Sequence, residues 1–223
     1  MDKRDYKNKV YTIMAELVKS LANPHRLEII DLLSQTERPV EEIAVETGMS
    51  VANASQHLQV LKQSNLVQMR RAGNFIFYRL ADDNVYRSWK DFRKIGLESI
   101  AEIDKVVKDY RNKKNSFEPV QLNELLSMIE SNKVILIDFR PEKEYNAGHI
   151  PKALNIPLDQ LSRRMAELKK SKQYIAYCRG PFCVLADEAV QRLTEHGFKI
   201  RRLDDGFPDW KVQGLPVEKV VES

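Results

Sequence analysis

Val10, Ile13, Met14, Leu17, Val18 and Leu21 recur in steps of three and one, the apolar stripe of an amphipathic helix. Asn23-Pro24 predicts a second helix, with Asn23 as its N-cap and Pro24 in its first turn, running through Leu27, Ile29, Ile30, Leu32 and Leu33. Val40 to Thr47 reads as a short helix stopped by Gly48, which can take the left-handed conformation of a sharp turn. Ser50 caps a further helix, Val51 to Ser64, which buries Ala54, Leu58 and Leu61 and turns Ala52, Gln56 and Gln59 outward. Two β-rich arms follow, Val67–Arg70 and Phe75–Tyr78, around the turn Arg71-Ala72-Gly73-Asn74. Val85, Trp89, Phe92, Gly96, Ile100, Ile103, Val107 and Tyr110 then fall close to a heptad repeat. Such a stripe either seats a second copy of the chain or packs on its own domain.

The pattern changes after the polar stretch Arg111–Pro119. Short apolar runs, Val134-Ile135-Leu136-Ile137 and Tyr174-Ile175-Ala176-Tyr177, alternate with helical segments such as Val184–Glu195. That alternation predicts a parallel sheet covered by helices. Two domains are expected: a mainly α winged helix-turn-helix over residues 1–112, a linker at 113–118, and an α/β domain with a parallel central sheet over 119–223. No internal repeat or low-complexity tract is present.

Composition narrows the function classes. Two cysteines in 223 residues exclude a disulfide-stapled scaffold and a site built from several Cys ligands. Met1-Asp2-Lys3-Arg4-Asp5 is too charged for a signal peptide, and no uncharged run approaches the ~18 residues of a membrane span. The expectation is a soluble, cytoplasmic protein without a membrane partner. The formal net charge is +4, and all of it lies in the first half. Residues 1–116 hold 20 Lys and Arg against 16 Asp and Glu, while 117–223 hold 16 of each. This is a mild indication of a polyanionic partner for the first half.

A short helix, a glycine turn, a polar-faced helix and a hairpin with arginines at its tip make the order of a winged helix-turn-helix. The second helix of such a pair can enter a major groove, offering Ser50, Asn53, Ser55, Gln56, His57 and Gln59, with Arg70 and Arg71 of the wing on phosphates or the minor groove. Leu21-Ala22-Asn23-Pro24-His25-Arg26-Leu27-Glu28-Ile29-Ile30 and Ser55-Gln56-His57-Leu58-Gln59-Val60-Leu61, followed by Leu66-Val67, resemble the ArsR/SmtB family of bacterial repressors. The resemblance spans about residues 8–105 and implies a homodimer on a double-stranded, pseudo-palindromic DNA operator. Metal-sensing members of that family carry Cys ligands or His/carboxylate pairs. Here residues 1–177 hold no Cys and the four histidines are scattered, so no metal and no cofactor is expected.

In the second half, Cys178-Arg179-Gly180-Pro181-Phe182-Cys183 lies between a predicted strand and a predicted helix. Backbone amides and the helix dipole gather at such a turn and favour an anion. A cysteine there is held as thiolate, and Arg179 adds a positive charge. Leu136-Ile137-Asp138-Phe139-Arg140-Pro141-Glu142-Lys143-Glu144-Tyr145, Gly148-His149-Ile150-Pro151-Lys152-Ala153 and Asp205-Gly206-Phe207-Pro208-Asp209-Trp210, with Gly214-Leu215-Pro216-Val217, resemble a single-domain rhodanese over about residues 117–219. The resemblance implies that Cys178 takes sulfur from thiosulfate or a low-molecular-weight persulfide and passes it to a thiol acceptor or cyanide. The amides of Arg179 to Cys183 would steady the outer sulfur. Asp138, Arg140 and His149 are expected to be scaffold. Cys183 either packs at the helix start or acts as a resolving thiol against a Cys178 persulfide.

Three functions remain open: a repressor that senses reactive sulfur through Cys178, a sulfurtransferase whose first half dimerises or localises it, and a repressor with a silent second domain. An intact recognition helix and an intact cysteine loop together favour the first.

Overall fold

The computed structural model describes residues 1–113 and 119–220; positions 114–118 of the expected linker lie outside the described residues. The chain forms two compact units, Met1–Trp89 and Lys90–Ser223. The boundary expected at residue 112 thus falls inside the second unit. No helix among the described residues is long and apolar enough to cross a membrane.

The first unit opens with α1 (Lys3–Lys19), seven residues earlier than its apolar stripe, because the Asp2 carboxylate accepts from the amides of Arg4 and Asp5. None of its residues is buried, and Val10, Ile13, Met14 and Val18 stand exposed. Asn23 caps α2 (Pro24–Leu33) by accepting from Arg26 N, with Pro24 at the first turn. After β1 (Arg38–Pro39) come α3 (Val40–Glu46), ended by Gly48 at φ +65°, and α4 (Val51–Gln63), capped by Ser50. Ala54, Leu58 and Leu61 of α4 are buried with Ile29, Ile30 and Leu33 of α2 and Ile43 and Ala44 of α3. The hairpin strands β2 (Val67–Ala72) and β3 (Phe75–Leu80) pair from Val67–Leu80 to Ala72–Phe75. The turn is therefore only Gly73-Asn74, tighter than the four residues expected, because Arg71 and Ala72 stay in the ladder. β1 pairs antiparallel with β3, a third strand the sequence pattern did not reveal.

α5 (Asp83–Ser99) and α6 (Ala101–Lys113) replace the single heptad helix. Ile100 interrupts it: its carbonyl accepts from Ile103 N and Asp104 N and so begins a new helix. The expected seam is consequently not one stripe. Val85 and Trp89 pack on the first unit's own core, where Trp89 Nε1 donates to Asp31 Oδ1 at 2.6 Å. Phe92 and Ile100 are exposed, and Ile103 lies against Gly96.

In the second unit α7 (Leu122–Glu130), β4 (Ile135–Asp138), α8 (Glu142–Ala147), β5 (Leu154–Asn155), α9 (Leu161–Arg164), β6 (Gln173–Tyr177), α10 (Leu185–Glu195), β7 (Lys199–Arg202) and α11 (Phe207–Val212) follow in order. The sheet is wholly parallel in the order β5-β4-β6-β7. Its two faces divide by the two-residue strand period. Ile137, Tyr174 and Ala176 pack against α10, while Leu136, Ile175 and Tyr177 pack against Leu125, Phe207 and Trp210. Cys178 continues the alternation of Tyr174 and Ala176 and so enters the α10 face.

Candidate functional site

In the first unit the outward side of α4 carries Asn53, Gln56 and Gln59, all exposed, with Ser50 exposed at the cap; Ser55 and His57 are half-buried. Gln59 Nε2 reaches the Tyr78 hydroxyl at 3.3 Å, tying the helix to the wing. His57 faces His25, with ring centroids 5.5 Å apart. Burial, then the charges of Arg26 and His25, push its pKa down. These influences favour the neutral form of the ring. Arg70 and Arg71 are both exposed, but not equivalent. Arg70 is held by Glu37 through both Nε and Nη2 and lies 4.5 Å over the Phe77 ring. Arg71 lies one residue nearer the hairpin tip.

The cysteine loop joins β6 to α10 and is set by two close backbone approaches. Gly180 stands at φ +149°, and the Cys183 amide turns back to donate to Gly180 O at 3.0 Å. Gly206 lies so close that a Cβ there would meet the Arg179–Gly180 peptide at 2.3 Å. Phe207 N donates to Cys178 O at 3.0 Å, fixing the same loop from α11.

Cys178 is 1% exposed. Burial works against its thiolate, but four groups outweigh it: the Cys183 thiol, the Arg202 charge and the amides of Gly180 and Ala186 bring the pKa down to about 7. Ala186 N belongs to the first turn of α10, where amides lack intrahelical partners. Cys183, whose carbonyl oxygen lies 3.7 Å from Cys178 Sγ, goes the other way, pushed well up by the neighbouring Cys178 side chain, by burial and by the Cys178 charge. Both cysteines are free thiols.

Two expectations about this loop change. The Cys183 amide is engaged by Gly180 O and does not belong with the donors to the sulfur. Arg179 is held by the buried Glu144 of α8, at 2.6 Å from Nη2 to Oε1 and 3.0 Å from Nε, so a carboxylate neutralises its charge. The charge that acts on Cys178 comes from Arg202 instead, 1% exposed on β7, whose Nη2 donates to Gly180 O at 3.2 Å. A signal for Arg202 existed in the two-residue alternation of β7, which puts Arg202 on the same buried side as Ile200. Pro181 O accepts from Arg111 Nη2 at 3.2 Å, while Phe182 is 43% exposed.

The surrounding motif residues are engaged with neighbours inside the fold. Asp138 and Arg140 are fully buried and paired at 2.6 Å, and Arg140 lies 4.2 Å over the Phe207 ring. The His149 ring stacks on Tyr145 at 3.6 Å, with Nδ1 2.9 Å from Tyr145 O. The described residues hold no group of three or more His, Cys, Asp or Glu arranged for a metal ion.

The model of bacterial regulatory proteins of the arsR family matches residues 23–69, and that of the rhodanese-like domain matches 121–213. The chain is 42% identical over 206 residues to the HTH-type transcriptional regulator Rv0324 of Mycobacterium tuberculosis, an alignment covering 92% of this chain and 90% of the relative. It is 32% identical over 103 residues to the uncharacterized HTH-type transcriptional regulator Rv0081 of the same organism, covering 46% of this chain and 90% of that one. Among solved structures, the homodimeric winged helix-turn-helix DNA-binding domain of Mb0332 from Mycobacterium bovis is 40% identical and covers 45% of this chain and 91% of its own, at a TM-score of 0.41.

Proposed function

We propose, from the premise that this chain belongs to the arsR family of bacterial regulatory proteins and carries a rhodanese-like domain, that it is a homodimeric repressor that senses reactive sulfur at Cys178. The observation that carries the reading is the placement of Cys178, buried at the turn from β6 into α10 beside Cys183 and a loop held by Arg202, where these groups and the amides of Gly180 and Ala186 bring its pKa down to about 7. A thiolate so placed attacks the sulfane sulfur of a persulfide or thiosulfate and becomes a persulfide. The donors that hold the thiolate then face the charge on its outer sulfur. Cys183, five residues on in the same loop, is the resolving group: its thiol gives up a proton, its sulfur attacks the Cys178 sulfur of the persulfide to form a disulfide, and the outer sulfur leaves with that proton as hydrosulfide. In the absence of that step the sulfur passes to an external thiol, so sulfurtransferase activity is a property of the sensor.

Asn53, Gln56 and Arg71 are the exposed groups best placed for a DNA operator. The uncovered apolar stripe of α1 supports a second copy of the chain, because soluble monomers rarely leave such a stripe in water. Operator affinity measured by fluorescence anisotropy at fixed salt, with and without glutathione persulfide, tests the sensing claim. The expected result is a change of at least tenfold that Cys178→Ser abolishes. Equal affinities would overturn it. Sulfite release from thiosulfate in the presence of cyanide tests the transfer activity separately.

A further inference from the structure

Arg93 and Asp209 form an ion pair within the second unit, 2.7 Å from Nη2 to Oδ1, with both side chains buried. Charge-assisted hydrogen bonds of this kind fix the geometry of both members. Both lie against Gly180 of the cysteine loop, which stands at φ +149°. A Cβ on Gly180 would be 3.5 Å from Arg93 Nη1 and 3.7 Å from Asp209 Oδ2. The same carboxylate holds the turn that presses on the loop, since Asp209 Oδ2 accepts from Gly206 N at 2.9 Å. That turn meets the Arg179–Gly180 peptide at Gly206, and Phe207 N donates to Cys178 O at 3.0 Å. Contacts therefore run from Arg93 through Asp209 to the peptides on both sides of Arg179. Lys90 adds a second cation, 3.5 Å from Asp209 Oδ1.

Loop position has a chemical consequence. The Gly180 amide is one of the groups that lower the Cys178 pKa, so its direction helps decide how much thiolate exists at neutral pH. A hydrogen bond weakens steeply as its donor turns away from the acceptor. Glycine has no side chain to anchor it and a backbone free to turn, so packing from outside must hold it. The Gly180 carbonyl is held by Cys183 N and Arg202 Nη2, and its Cα is backed by Arg93 and Asp209. Arg93 comes from α5, outside residues 23–69 and 121–213, the two segments that match the family models. This chain thus braces its cysteine loop with a residue that neither matching segment contains.

We propose that Arg93 is a positioning residue for Cys178: with Asp209 it holds Gly180 and the Gly206–Phe207 turn so that the loop amides face the sulfur. The assignment rests on the reading of Cys178 as a sulfur acceptor for its consequence in transfer, though not for its effect on the thiolate. Arg93 touches neither the donor nor the reacting sulfur in this role. It acts through the backbone of the loop.

The test compares full-length wild type with Arg93→Gln and Arg93→Lys. Alkylation of Cys178 by iodoacetamide, followed across pH by mass spectrometry, reads the thiolate. Arg93→Gln should move the midpoint up by about half a pH unit or more. Arg93→Lys, which keeps the charge but cannot both bond Asp209 and back Gly180, should move it less. Hydrogen exchange reads the loop itself. Peptides covering residues 178–183 should exchange about tenfold faster in Arg93→Gln, while those of β4 and α10 keep wild-type protection. An unchanged midpoint in the folded variant overturns the assignment. So does faster exchange spread evenly over the second unit, the mark of an ion pair that only adds stability. Should Arg93→Gln fail to fold, Arg93→Lys carries both measurements, and wild-type values in it overturn the assignment. Glutathione persulfide separates the two claims. A wild-type Cys178 that alkylates with a midpoint near 7 but never takes up sulfur overturns the sulfur reading and leaves the role of Arg93. Equal rates of sulfur uptake by wild type and Arg93→Gln at pH 7 overturn the role of Arg93 and leave the sulfur reading.

Discussion

Cys178 Sγ lies 3.7 Å from the backbone carbonyl oxygen of Cys183 across one loop, and the two neighbouring side chains hold charge unequally. Cys178 ionises first, at about 7, and Cys183 stays protonated well above the ordinary thiol range. Alkylation of Cys178 by iodoacetamide should therefore rise with pH around a midpoint near 7, since thiolate is the reactive form and is populated above the pKa. Cys183→Ala removes the neighbouring thiol that lowers the Cys178 pKa and should move that midpoint up. The profile read by mass spectrometry at Cys178 checks both, and an unchanged midpoint would count against the thiol–thiolate pair.

Gly206 leaves no room for a side chain against the Arg179–Gly180 peptide. Gly206→Ala should cost about 1–3 kcal/mol by overpacking and displace the loop that positions Cys178. Urea denaturation reads the first effect, and slower Cys178 alkylation at pH 7 reads the second.

Asp209 is fully buried and accepts from Arg93 at 2.7 Å and from Gly206 N at 2.9 Å, with Lys90 3.5 Å away. Asp209→Asn keeps the shape and removes the charge that faces Arg93 and Lys90. A loss of about 3–5 kcal/mol is expected, because removing one partner of a buried ion pair is strongly destabilising. Thermal unfolding of the full chain measures it.

On the wing, Arg70 is already paired with Glu37, and among the described residues Arg71 is in no such pair. Arg71→Ala should lower DNA affinity and reduce the slope of log K against log salt by about 1, as loss of one phosphate contact does. Arg70→Ala should change the slope less. Gln56→Ala, on the exposed face of α4, should weaken operator binding by about 1–3 kcal/mol with the melting temperature unchanged. Anisotropy titrations over a salt series, beside calorimetry, distinguish the three.

Local rules located most of the elements. Asn23, Ser50 and Gly48 mark helix ends by short-range hydrogen bonding and backbone freedom, so they are readable in sequence and stand where expected. The burial of Ala54, Leu58 and Leu61 likewise follows from helical spacing alone. β1 escaped notice because two residues carry no period. The break at Ile100 escaped because a heptad count takes no account of where the backbone ends one helix and begins another.

By itself the sequence determined the order of two folds, the six-residue loop that holds both cysteines, and the buried face of α4. These depend on neighbours along the chain, whose geometry the backbone period sets. The tertiary structure decided which charges act. Arg179, adjacent to Cys178 in sequence, is neutralised by Glu144, and Arg202, twenty-four residues on, takes its place because parallel pairing brings β7 beside β6. Electrostatic influence falls with distance in space and with burial, and neither is a property of the chain read as a line.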